Sequence, residues 1–196
     1  MNWLTIVPPA RYPVSLAEVR AQLRIDSQDD DATLAGNIAA AVEDVETYLR
    51  RSLISRTFRG YLDRWPAWRS TSIPRRRLDL PMSPVQSVTS IEICDADGVA
   101  TALDPAAYLV DSVGFVGGVV LKGGVSVPCP GQVANGIVVE WVGGYGPNPA
   151  DVPEAFRQAI LIVIGALNEQ RGDEISADNL PTAARTLLRK HRVPNV

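Results

Sequence analysis

Histidine is almost absent from this chain: His191, five residues before Val196, is the only one in 196 residues. General acid–base chemistry, nucleophile activation and zinc binding lean on that residue type, so an enzymatic reading begins without its commonest tool. Cysteine is scarce as well. Cys94 and Cys129 stand alone, with no CxxC spacing, and supply neither a metal site nor a disulfide framework. Lysine is limited to Lys122 and Lys190, so the positive charge is carried by arginine. The longest apolar run, AILIVIGAL from Ala159 to Leu167, is nine residues, far short of the roughly 20 that cross a bilayer. No membrane partner is expected. The opening MNWLTIVPPARYP lacks the basic start and long apolar stretch of a signal peptide, so the expectation is a protein that stays where it is made.

Phosphate, metal and nucleophile motifs are missing too. DSQDDDA at 26–32 has acids but neither the central glycine nor the twelfth-position glutamate of a calcium loop, and a helix N-terminus accounts for it. VGGYGPNP at 142–149 has no Walker lysine and no G-x-G-x-x-G order. Catalytic residues, cofactors and metals are therefore all expected to be none. Trp3, Trp65, Trp68 and Trp141 could stack on bases but read more simply as core or interface anchors.

What is present is a chain of 46% hydrophobic content, enough for one substantial core or a core with a small subdomain. Ser15 and Glu18 make an S-x-x-E capping box, with Val14 and Val19 at the hydrophobic-staple positions, so a short helix starts at Leu16 and ends near Asp26. A second helix is predicted over Asp31 to Leu53, where Leu34, Ile38, Ala41, Val42, Val45, Leu49 and Leu53 form one apolar stripe and Glu46 falls outside it.

From Ile54 to about Gly146 the periodicity shifts to strands. TFRGYLDRW, VTSIEI (Thr89, Ile91 and Ile93 on one side), a return strand after the DADG turn at 95–98, Tyr108 to Asp111, VVL after Gly117-Gly118, and GIVVEWV are the predicted strands. A third helix begins at the D-x-x-E of Asp151 and Glu154, with Pro153 in its first turn and Gly172 closing it. Its nearly all-apolar middle has to be covered on most sides, by the second helix and the β region or by a neighbouring subunit. A last helix runs from about Pro181 to His191, with Ala184, Leu187 and Leu188 on one side and Arg185, Arg189 and Arg192 as a basic stripe. The expected fold class is α+β: a helical bundle of two N-terminal and two C-terminal helices (residues 1–53 and 147–196) with an antiparallel β subdomain inserted at 54–146.

Charge is unevenly shared. Residues 50–77, RRSLISRTFRGYLDRWPAWRSTSIPRRR, hold nine arginines against the single acid Asp63, or +8; the whole chain is −3, which leaves −11 for the remainder. The stretch could contact nucleic acid, dock on an acidic neighbour, or be a solvated face. It spans a helix end, a strand and a Pro-rich loop, where a sequence-reading DNA binder would use a recognition helix.

Four motifs in order resemble the head-tail connector, or adaptor, proteins of long-tailed phages and gene transfer agents. They are PVSLAEVRAQLRID with DDDATLAGNIAAAVEDVETYLRRSLI; TFRGYLDRWP leading to LPMSPVQSVTSIEICDADG; VEWVGGYG with VPEAFRQAILIVIGALNEQRGD; and LPTAARTLLRKHR. The resemblance implies a non-enzymatic virion part at the head-tail interface, assembled in the host cytoplasm. It implies a homo-oligomeric ring of twelve copies on the portal protein, joined on its other side to the next connector, stopper or tail protein, with double-stranded DNA passing through the channel. The C-terminal segment 180–196 would dock on the portal through Leu187, Leu188, Arg189, Lys190 and Arg192. Arg64, Arg69, Arg75, Arg76 and Arg77 would face an adjacent subunit, a connector ring or the passing DNA. A closed ring needs two different complementary surfaces on each subunit, which a charge-divided chain can supply. The alternative reading is a DNA-binding protein using the arginine-rich segment 50–77.

Overall fold

The structure, a computed structural model, describes residues 1–66, 76–169 and 179–194. Its contacts divide the chain into two units. One comprises Met1–Pro8 with Ser55–Gly144, and the other Pro9–Ile54 with Tyr145–Val196. The α+β class is as the sequence patterns predict.

The helical unit contains α1 (Leu16–Leu23), α2 (Asp31–Leu49), α3 (Glu154–Glu169) and α4 (Thr182–Leu188), followed by a 3₁₀ turn at Arg189–His191. The capping box forms: the Glu18 amide donates to Ser15 Oγ, and the Ser15 amide donates to the Glu18 carboxylate at 2.7 Å. The Ser15 amide, with Arg157 from α3 also contributing, holds the Glu18 carboxyl below its ordinary pKa. Arg157 further donates to the Pro13 carbonyl, tying the start of α1 to α3. Both N-terminal helices end earlier than their apolar stripes suggest. Arg24 and Arg50 each take left-handed backbone with φ of 57°. After Arg50 the Arg51 amide returns to the Glu46 carbonyl, which closes α2 four residues before Leu53.

The core of this unit is the α2 stripe, Leu34, Ile38, Ala41, Val42, Val45 and Leu49, packed on Phe156, Ala159, Ile160, Val163 and Ile164 of α3 and on Leu180, Ala184 and Leu188. Leu161, Ile162 and Leu167 of α3 are only partly covered. Glu46, expected outside the stripe, is buried, because its carboxylate accepts the Leu53 amide at 2.8 Å.

The β unit holds a five-stranded antiparallel sheet and a three-stranded one. The first has the order β1 (Asn2–Val7), β2 (Arg56–Leu62), β8 (Ile137–Gly143), β4 (Val85–Cys94), β5 (Ala100–Ala102); the second has β3 (Arg77–Asp79), β7 (Gly118–Leu121), β6 (Tyr108–Asp111). Strands β1 and β3 are additions to the predicted set. β1 adds residues 2–7 to the β unit as the edge neighbour of β2, although the sequence reading grouped residues 1–53 with the helices. β8 alternates as predicted: Ile137, Val139 and Trp141 are buried, and Val138, Glu140 and Val142 are half-buried. β4 alternates less well, since its register on β8 shifts between Val88 and Ser90. Ile91 and Ile93 are therefore buried while Thr89 is exposed. The core between the sheets stacks Phe58 on Trp141, ring centroids 5.4 Å apart, with Leu78, Leu80, Val119 and Leu121 from the smaller sheet side.

Candidate functional site

Two regions carry the sequence-predicted site residues, and each lies within one unit. In the helical unit, α4 and its continuation to Pro194 hold four cations and no acid between residues 179 and 194. This segment is pinned at several points. Leu180, Ala184 and Leu188 enter the core. Arg51 Nε donates to the His191 carbonyl at 2.8 Å. The Val193 amide donates to the Leu49 carbonyl at 3.0 Å, satisfying an acceptor that the end of α2 would otherwise leave open. The His191 ring meets Phe156 edge-on, centroids 5.0 Å apart, and Phe156 in turn packs edge-on against Tyr145. The Arg192 guanidinium lies 4.8 Å above the centre of the Tyr48 ring.

Electrostatics follow from this packing. Burial, then Lys190 and Arg51, push the His191 imidazole below its ordinary pKa, so the neutral ring is favoured. Burial raises the Tyr145 hydroxyl, and a hydrogen bond with Arg51 opposes that rise. Arg51, itself buried, thus joins the end of α2, Tyr145 and the C-terminal segment. In the sequence it was merely one arginine among nine, and no local pattern distinguishes it.

The five residues expected to dock on the portal separate into two groups. Leu188 is fully buried and Leu187 is half-buried against the same core, so these leucines hold α4 in place. Arg189, Lys190 and Arg192 are exposed. Their backbone leaves the α-helix at Leu188, so the predicted i, i+4, i+7 stripe is helical only as far as Arg185 and continues on a 3₁₀ turn and extended chain.

The arginine-rich stretch is divided between the two units. Arg50 and Arg51 belong to the helical unit, and Arg56, Arg59, Arg64, Arg76 and Arg77 to the β unit. Arg59 faces Glu140 across β2 and β8, its Nε 2.7 Å from the carboxylate. Arg76 donates to the Val125 carbonyl. Arg77 donates to the Asp79 and Asp111 carboxylates and to the Val116 carbonyl. Arg64 is exposed, whereas Arg69 and Arg75 lie outside the described residues. The Arg77 guanidinium, followed by the Gly114 amide, holds the Asp111 carboxyl below its ordinary pKa. Asp111 Oδ1 also accepts from the Val113 and Gly114 amides, so Arg77 organises the turn between β6 and β7.

Among the described residues no group of three or more histidine, cysteine, aspartate or glutamate side chains is placed to hold a metal ion. No helix among them is long and apolar enough to cross a membrane. Two features of the described surface stand out: a pinned basic segment at 189–192 and an exposed turn tied by Asp111 and Arg77.

Comparison with known proteins agrees with the order of motifs. No curated protein sequence matches the chain. Residues 13–90 match the family model described as phage gp6-like head-tail connector protein. Three solved structures match in fold over 100% of this chain and 97% of the matched chain. They are a virion of a native gene transfer agent particle (23% identity, TM-score 0.80), the neck of an empty particle computed with C6 symmetry (24%, 0.79), and the neck of a native particle computed with C12 symmetry (23%, 0.78). Residues 13–90 are thus similar to the phage gp6-like head-tail connector proteins, the family that the order of motifs resembles.

Proposed function

We propose that the chain is a structural head-tail connector of a tailed-phage or gene transfer agent particle, located in the virion at the head-tail interface. The observation that carries this reading is the end-to-end likeness of fold to chains of gene transfer agent particles, together with the connector-family pattern at 13–90. On this reading twelve copies close into a ring, a number consistent with the C12 symmetry of one matched neck. One face of the ring meets the portal and the other meets the next connector, stopper or tail protein, and DNA passes along the axis.

The docking element towards the portal is the exposed basic end, Arg189, Lys190 and Arg192, with Leu187 at its margin. Because Leu188 and Ala184 are core residues, this end is presented in a fixed place, which lowers the ordering cost of association. Arg64 is the exposed member of the arginine-rich stretch for contact with an adjacent subunit, a connector ring or DNA. Arg59, Arg76 and Arg77 already make hydrogen bonds or ion pairs within their own unit, which weakens the alternative of a DNA-binding groove over residues 50–77.

The test is capture of the full chain by its portal, read by electron microscopy of the complex. Deleting residues 180–196 would remove Leu180, Ala184 and Leu188 from the core, so the informative variant is the charge reversal R189E/K190E. Rings on the portal for the native chain, and their loss with the reversal, are expected. A strictly monomeric protein indifferent to the portal would sink the proposal.

A further inference from the structure

The single histidine of the chain lies inside the basic segment, between Arg189, Lys190 and Arg192. Those three side chains are exposed, whereas the His191 ring is half-buried and turned onto Phe156, a fully buried core residue. Among side chains at their ordinary pKa, histidine alone changes charge between pH 5 and pH 8. The chain therefore places its one near-neutral titrating side chain beneath the residues read as the docking element.

Three contacts that hold this segment fall on His191 and the two residues after it. The His191 carbonyl accepts from Arg51 Nε, the Arg192 guanidinium covers the Tyr48 ring, and the Val193 amide donates to the Leu49 carbonyl. The imidazole sits beside all three, and its neutral form suits an edge-on contact with Phe156. A protonated ring has two N–H donors to satisfy and a charge to keep solvated. The charges acting on it are both positive, Lys190 on its own segment and the buried Arg51 after α2. Other titratable groups nearby are already engaged. From α3, Glu154 and Arg157 flank Phe156 and are paired with each other. In the last turn of α2, Glu46 takes the Leu53 amide, and Tyr145 shares a hydrogen bond with Arg51.

We propose that His191 is a pH-operated clasp on the docking segment: a neutral ring holds the segment against α2 and α3, and a protonated ring lets it lift away and weakens docking. The inference rests on the connector reading and deepens it by naming what regulates the docking site. Burial, then Lys190 and Arg51, lower the imidazole pKa, so the clasp is closed at neutral pH and opens as pH falls through that lowered value. A released segment has to be ordered again when it binds, which costs affinity.

The full chain and its His191→Phe variant, which keeps an aromatic ring on Phe156 but cannot be charged, test this. With one histidine, a proton NMR titration from pH 8 to pH 5 follows one imidazole. Its transition should coincide with loss of protection at the Val193 amide. Hydrogen exchange there is taken as the ratio of native to variant at each pH, which cancels the intrinsic pH dependence of exchange, and should rise about tenfold towards pH 5. Circular dichroism should show both proteins folded throughout. Capture by the portal should weaken about tenfold over the same range for the native chain and about twofold or less for the variant. A flat exchange ratio overturns the inference, as does equal weakening of capture in the two proteins. Tighter capture of the native chain in acid also overturns it, because His191 would then be one more docking cation. Failure of capture by the native chain at pH 8 strikes the connector reading instead, and exchange at Val193 still decides the clasp.

Discussion

Arg51 and His191, 140 residues apart in sequence, are joined by a hydrogen bond from the Arg51 Nε to the His191 carbonyl oxygen. The bond fixes the chain beyond α4 against the end of α2, beside the Val193–Leu49 backbone bond. Replacing Arg51 with Ala removes a buried cation whose hydrogen bonds reach both Tyr145 and the C-terminal segment. A loss of about 2–3 kcal/mol is expected, or roughly 4–12 °C in Tm for a chain of this size. Limited proteolysis should show earlier cleavage after Arg189 or Arg192 than in the native protein. Unchanged Tm and protection would mean that the segment is held by its leucines alone.

Leu188 and its neighbours Arg189 and Lys190 should separate stability from recognition. Leu188→Ala opens a cavity in the helical core and should cost about 2–5 kcal/mol in denaturant unfolding. The R189E/K190E reversal changes exposed side chains and should stay within about 0.5 kcal/mol of native stability while weakening portal capture. Comparable stability loss in both variants would contradict this division.

His191 should make the C-terminal anchor sensitive to mild acid. Its folded pKa is lowered from the model-peptide value of 6.5, chiefly by burial, so the unfolded chain binds a proton more readily than the folded one. The neutral ring's contribution is complete above about 6.5 and declines as pH falls from there towards the lowered folded value. The difference in stability between native protein and His191→Phe, measured by urea unfolding from pH 8 to pH 5, should shift in favour of the variant as pH falls. A difference that stays flat with pH would refute it.

Much of the helical unit is legible from local signals. The S-x-x-E box and the α2 stripe each act within a turn or two and appear where the spacing puts them; α3 instead starts at Glu154, one residue after Pro153, with Asp151 in the preceding 3₁₀ turn Pro149–Asp151. The helix ends were harder. Arg24 and Arg50 close α1 and α2 in left-handed backbone, although arginine is not a residue type that announces such a cap, and Leu53 continues the apolar period beyond the true end. Strand β1 is hidden for another reason. NWLTIV shows no clean alternation, because as an edge strand it is covered on one side only, and all but Ile6 of its residues are exposed.

The candidate site was legible in outline but not in its division of labour. A leucine pair followed by Arg-Lys-His-Arg is visible as a unit. Whether Leu188 faces a partner or the chain's own core depends on where α3 lies, and that is tertiary information. The arginine stretch shows its density in the sequence but not its partners: the acceptors for Arg59, Arg76 and Arg77 include Glu140, Val125, Asp111 and Val116, far along the chain.

Arg77 offers the sharpest contrast within that stretch. Its guanidinium bridges β3, Asp111 at the end of β6 and the Val116 carbonyl before β7, whereas Arg64 is exposed. Arg77→Met should cost about 1–2 kcal/mol, since its ion pairs are partly solvated, and Arg64→Ala about 0.5 kcal/mol or less. The pH dependence should differ as well. Asp111, whose pKa is lowered mainly by Arg77, contributes stability that is present above its unfolded pKa near 3.8 and is lost as pH falls through the depressed folded value. Removing Arg77 should therefore weaken the protein most near neutral pH and make its acid unfolding less steep below about pH 4. Hydrogen exchange at the Val113 and Gly114 amides gives a local reading: both should exchange faster in Arg77→Met and be unchanged in Arg64→Ala. Equal protection in the two variants would show that Asp111 shapes the turn without help from Arg77.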